Sequence, residues 1–172
     1  PLSESSIPSY LFLKLYSFTN YCGDGFLECA RLINSVLFVS AIPFIFFISR
    51  RVASNGVSVI ISLLAVFGPI NSVTAYFMPE SFYFLSFWAF CWYLLSLELE
   101  SRKYRWFLVG AIYAICSLIK PHAILFLPAI LVYIGFVFFL RKSLISRPSA
   151  TAFFSFILGA FLVKFGISYI LV

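Results

Sequence analysis

Ala75-Tyr76-Phe77-Met78-Pro79-Glu80-Ser81 is a turn with one carboxylate between two long apolar runs. Val57 to Phe77 precedes it, Ser81 to Leu97 follows it, and neither run holds a charge. Each is close to the length a helix needs to cross a bilayer, where about 20 residues cover about 30 Å of hydrocarbon. A proline in the first turn and a glutamate at the positive end of the helix dipole both suit a helix start. The stretch therefore reads as the tip of a helical hairpin, with Glu80 at a membrane face.

Composition says the same of the whole chain. Its 172 residues are 63% hydrophobic and 10% charged, and the mean hydropathy is +1.06. A soluble domain carries about 25% charged residues. This chain cannot cover its surface with polar groups, so it reads as an integral membrane protein. The apolar runs do not alternate with period two, which favours helices over a barrel. The net charge of +6 does not point to nucleic acid, because the basic residues lie in short loops between spans. Phe 23 and Tyr 10 are high counts, for which aromatic packing and interfacial anchoring are the general uses.

Pro1 to Ala30 is the least apolar region, with Glu4, Lys14, Asp24, Glu28 and the turn signal Cys22-Gly23-Asp24-Gly25. Within it Pro8 to Phe18 is too short to span, and predicts an interfacial or re-entrant helix. The expected spans are Leu32 to Ser49, Val57 to Phe77 with a kink at Gly68-Pro69, Ser81 to Leu97, Trp106 to Ile119, Ala123 to Leu140 and Ala150 to Val172. The fold class is all-α: a single polytopic transmembrane helical bundle over residues 1–172, with about six spans and a short N-terminal interfacial helix. The start at Pro1 and the stop inside an apolar run suggest a piece of a longer protein; no signal peptide is visible.

Charge orients the bundle. With Arg50-Arg51 in the cytoplasm, Arg102, Lys103 and Arg105 return to that side two spans later, and Arg141, Lys142 and Arg147 two spans after that. All eight cations then obey the positive-inside rule. The other side receives Pro1 to Arg31, the Glu80 turn and the Lys120-Pro121-His122 turn. Trp106 to Ile119 spans only about 21 Å as a helix, so Lys120 and His122 are expected below the outer surface. Charge at that depth survives when buried in protein or lining a wet cavity, and a polar pocket in the outer half of the membrane follows.

Each candidate residue has a plain reading beside its functional one. Glu80 is a helix-start residue, or a carboxylate at a cavity mouth that binds a divalent metal or orients an acceptor hydroxyl. Lys120 is a snorkelling lysine, or a point charge for a phosphate. His122 is a satisfied polar side chain, or part of that cationic site. Arg31 is an interfacial anchor, or another phosphate contact. Asp24 and Glu28 read as solvated loop charges, and Lys164 either snorkels or lines the cavity. Cys22 and Cys29 fall outside, where a disulfide is permitted; Cys91 and Cys116 read as packing residues.

The order of features is distinctive. Pro8-Ser9-Tyr10-Leu11-Phe12 precedes Ala30-Arg31-Leu32-Ile33-Asn34-Ser35, a span ending in Arg50-Arg51, and Tyr76-Phe77-Met78-Pro79-Glu80. Gly110-Ala111-Ile112-Tyr113-Ala114, Ser117-Leu118-Ile119-Lys120-Pro121 and Leu125-Phe126-Leu127-Pro128 follow. This order resembles the polytopic GT-C glycosyltransferases of the protein O-mannosyltransferase and aminoarabinose-transferase type, over roughly Pro8 to Tyr133. The resemblance implies transfer of a sugar from a polyprenyl-phosphate donor to an acceptor glycan, lipid or protein on the extracytoplasmic or lumenal face. It implies that Glu80 belongs to a second acidic site, serving a divalent metal or the acceptor. Lys120 and Arg31 would contact the lipid phosphate. The family's main acidic motif would precede Pro1, so this piece alone is expected to be inactive. The alternatives are a transporter or lipid flippase fragment, whose polar turns would line a translocation path, and an assembly subunit with no site.

Overall fold

The computed structural model describes residues 10–76, 78–97, 103–140 and 147–171. Glu4, Pro8-Ser9, Phe77, Arg102 and Arg141-Lys142, all used above, lie outside the described residues. Every described element is helical, so the chain is all-α. It forms two compact units, residues 1–95 and 96–172.

The first unit begins with α1 (Tyr10–Tyr16), short as its sequence requires, and a 3₁₀ segment, Ser17–Gly25. The interruption within that segment is Gly23, whose φ of 55° suits a residue without a Cβ. Cys22 and Cys29 are disulfide-bonded, with their Cα atoms 6.6 Å apart. The bond ties the 3₁₀ segment to the first turn of α2 (Phe26–Val39). Phe12 and Tyr16 pack on Ala30, with Ile33 beside them, and the two rings lie 4.4 Å apart.

The expected span Leu32 to Ser49 is two helices, α2 and α3 (Ile42–Ser49). Pro43 sits in the first turn of α3, and its missing N–H cannot continue the α2 ladder. Ser40 bridges the break, its N–H and hydroxyl both donating to the Val36 carbonyl, at 3.0 and 2.7 Å. The break is shallow: residues 17–49 form a 33-residue helical run, the described run that is long and apolar enough to cross a membrane.

The second expected span departs further. Val57 to Phe77 is not one kinked helix but α4 (Asn55–Phe67) followed by a 3₁₀ segment, Pro69–Ala75. Gly68 is fully extended (ψ 177°), so the helix ends there. At 13 residues α4 is about 20 Å long, short of the hydrocarbon thickness. On α4, Ser58, Ser62 and Val66 are buried, whereas Ile60, Leu63, Leu64 and Phe67 are exposed. Small polar residues inward and large apolar residues outward is the pattern of a helix solvated by lipid.

The turn ends at α5 (Glu80–Leu95), which buries Ser86, Phe90 and Leu94, a stripe at four-residue spacing. The aromatic excess has a use here: Phe84 stacks on Phe38 at 4.4 Å, and Trp92 meets Phe44 at 5.7 Å.

The second unit contains α6 (Lys103–Ile119), a 3₁₀ segment Pro121–Phe126, α7 (Leu127–Leu140) and α8 (Arg147–Leu171). Helices α6 and α8 cross where both lack side chains. A Cβ on Gly110 would lie 2.0 Å from the Phe156 carbonyl oxygen, and one on Gly159 would lie 2.1 Å from that of Phe107. Lipid tails are as apolar as leucine, so close backbone approach of this kind is what holds membrane helices together. Lys164 is on α8 and exposed.

Candidate functional site

In the first unit the candidate carboxylate stands where the sequence places it, at the head of a helix. Glu80 is the first residue of α5, and the Tyr83 N–H closes the first helical turn on the Pro79 carbonyl at 2.8 Å. Glu80 is half-buried, with one carboxylate oxygen withdrawn from solvent. Beside it, Ser81 is fully buried, and its hydroxyl has no hydrogen-bond partner among the described residues.

The 3₁₀ segment ends at Ala75, and the last carbonyls of a helix have no following turn to bond them. Side chains of α2 do so instead. The Asn34 amide nitrogen donates to the carbonyls of Thr74 at 3.3 Å and Tyr76 at 2.7 Å. Arg31 Nε donates to the Ala75 carbonyl at 3.2 Å. The Asn34 amide oxygen in turn accepts from the Tyr16 hydroxyl. Burial pushes the Tyr16 phenol up to about 12, so it stays a donor throughout the physiological range. Three consecutive carbonyls ahead of the Glu80 turn are thus held by one helix.

Arg31, expected to contact a phosphate, also pairs with Glu28 at 2.7 Å. Both side chains are largely exposed, so the pair is weak enough to exchange for a stronger anion. At the opposite end of the unit, Arg51 Nη1 donates to the Leu95 carbonyl at 2.6 Å, and Arg50 lies over the Phe46 ring. Arg31 and Glu80 therefore share one end, and the paired arginines take the other.

Lys120 and His122 belong to the second unit. Helix α6 stops at the buried Ile119 because Pro121 disfavours helical backbone at the residue before it. Lys120 is extended (φ −135°, ψ 117°). Its N–H still closes on the Cys116 carbonyl and its own carbonyl accepts from Ala123 N–H, both at 3.0 Å. The Tyr113 hydroxyl donates to the Ala123 carbonyl at 3.4 Å. Lys120 is half-exposed and His122 exposed on this turn.

The four sequence-predicted site residues thus fall in pairs, Arg31 with Glu80 and Lys120 with His122, one pair in each unit. A groove of about 530 Å³ is lined by Lys14, Ser17, Phe18, Asn20 and Tyr21, and none of the four lines it. Glu80 is the residue expected to meet a divalent metal; among the described residues no three His, Cys, Asp or Glu side chains converge.

Sequence reasoning passed over Asn34 and Tyr16. The signal was present, since an amide inside an apolar helix is costly and so usually has a use.

Comparison with known proteins adds identity. The model of the dolichyl-phosphate-mannose-protein mannosyltransferase family matches residues 15–165. No curated relative and no solved structure matches.

Proposed function

The chain belongs to the dolichyl-phosphate-mannose-protein mannosyltransferase family, and on that premise we propose that it transfers a sugar from a polyprenyl-phosphate donor to an acceptor hydroxyl on the extracytoplasmic or lumenal face. The family is one of integral membrane glycosyltransferases of GT-C type, and the match favours transfer over translocation. The observation that carries the reading is the placement of Glu80. It opens α5 at the end of its unit opposite Arg51, on backbone that Arg31 and Asn34 of α2 hold in place.

Glu80 orients the acceptor hydroxyl and takes its proton. The acceptor oxygen forms its bond to the anomeric carbon as the bond from that carbon to the phosphate oxygen breaks, and the polyprenyl phosphate leaves with the electron pair. For the charge that grows on the departing phosphate, the candidate cations are Arg31 in the first unit and Lys120 and His122 in the second. Stabilising charge where it develops is usually the largest catalytic contribution. The chain crosses the membrane about six times, the number its apolar runs allow.

The test is transfer from dolichyl-phosphate mannose by the complete protein. Glu80→Gln is expected to lower kcat by about 100-fold or more, the scale of a lost general base. Lys120→Ala is expected to lower kcat/KM by about tenfold or more, one charge-assisted phosphate contact. Wild-type rates in both variants would remove these residues from the mechanism.

A further inference from the structure

Asn34 lies on the α2 face that packs inward and is 0% exposed. A bare amide there would be costly, and this one is used in both directions. Its nitrogen donates to Thr74 and Tyr76, and its oxygen accepts from Tyr16. The Tyr76 carbonyl accepts a second bond, from the Met78 N–H at 3.0 Å. The next residue is Pro79, whose own carbonyl begins the α5 ladder. One planar group therefore joins α1, α2 and the segment that delivers Glu80.

We infer that Asn34 is the positioning residue for Glu80. It fixes the backbone from which the carboxylate enters α5, and so sets where that carboxylate meets the acceptor hydroxyl. The inference rests on the role proposed above for Glu80. Arg31 helps, but it works from an exposed position where water competes; Asn34 works in a dry interior, where a hydrogen bond is electrostatically stronger. No other residue type does the same job at this length. Aspartate keeps the acceptor for Tyr16 but sets an oxygen against two carbonyls. Leucine offers neither function.

The experiment uses the complete protein in membranes. Asn34→Asp is expected to lower kcat by about tenfold while leaving KM for dolichyl-phosphate mannose within about twofold, as misplacement of a catalytic group does. In a Glu80→Gln background the same change is expected to cost less than about twofold more, because both changes act through one group. A second measurement needs no catalysis. Met78→Cys is labelled with a water-soluble maleimide, once with Asn34 intact and once combined with Asn34→Asp. The rate is expected to differ about fivefold or more between the two as the turn loosens. An unchanged labelling rate overturns the inference. A changed rate with losses that add to those of Glu80→Gln overturns the link to that carboxylate. A kcat per folded molecule equal to wild type, with less protein made, reduces Asn34 to a folding residue and also overturns it. Should Asn34→Asp fail to accumulate, Asn34→Ser removes the same donors without adding charge and is read the same way. Wild-type transfer by Glu80→Gln would defeat the proposed role of Glu80 itself, while the labelling still decides whether Asn34 holds the turn.

Discussion

The Arg51 guanidinium lies 2.6 Å from the Leu95 carbonyl oxygen, so the end of α3 and the end of α5 meet at one end of the first unit. The arginine serves two purposes there. On the proposed topology it lies on the cytoplasmic side, and it sits where the negative end of the α5 dipole favours a cation. Val52, highly exposed, and Met78 are then expected on opposite sides of the membrane. Cysteines introduced singly at Val52 and Met78 should react with a membrane-impermeant maleimide from opposite faces. Labelling from the same face would reject the arrangement.

Cys22 and Cys29 form a short covalent loop, and Cys91 and Cys116 are free. Denatured without reductant, the chain is expected to take up two maleimides, and four after reduction. Four before reduction would show that the bond is absent. Replacing both bonded cysteines with serine is expected to cost about 2 kcal/mol, from the loop-closure entropy of a short cross-link, seen as a lower thermal midpoint.

Gly110 leaves no room for a methyl group between α6 and the Phe156 carbonyl. Gly110→Ala should therefore destabilise the second unit by about 1–3 kcal/mol, the cost of overpacking. Gly166→Ala, where a Cβ meets nothing within 4 Å, should be neutral or slightly stabilising through helix propensity. Equal melting of the two variants would contradict the crossing.

Tyr16 supplies a pH test. Burial raises its phenol from 10.0 to about 12. The contribution to stability is then fully present below pH 10 and lost as pH rises through about 12. The difference in thermal midpoint between wild type and Tyr16→Phe should be constant from pH 6 to about 9 and shrink above about 10. A difference that already falls between pH 6 and about 8 would assign the effect to another group.

Much of this was legible in the residues one by one. The apolar runs announce helices, and Pro79-Glu80 announces a helix start. What misled was continuity. Val57 to Phe77 has the composition of one span, yet the helix stops at Phe67. Gly68-Pro69 ends it, but hydropathy cannot say whether such a dipeptide kinks a helix or ends it. That depends on whether anything nearby can satisfy the released carbonyls. Here the chain continues as a 3₁₀ segment, and Asn34 and Arg31 take the Thr74, Ala75 and Tyr76 carbonyls at its far end.

Local chemistry alone settled the all-α class, the membrane as solvent, the place of Glu80 at the head of a helix and the order of features that identifies the family. Those properties depend on neighbours along the chain: hydropathy, helix-end preferences and loop charge. The tertiary structure decided the rest, because each remaining feature is a contact between distant residues. The segment between α4 and α5 is tied to α2 by an amide some forty positions earlier, which bonds the Thr74 and Tyr76 carbonyls. The α6–α8 crossing depends on two glycines that look unremarkable singly and leave room for backbone only when they face each other's helix.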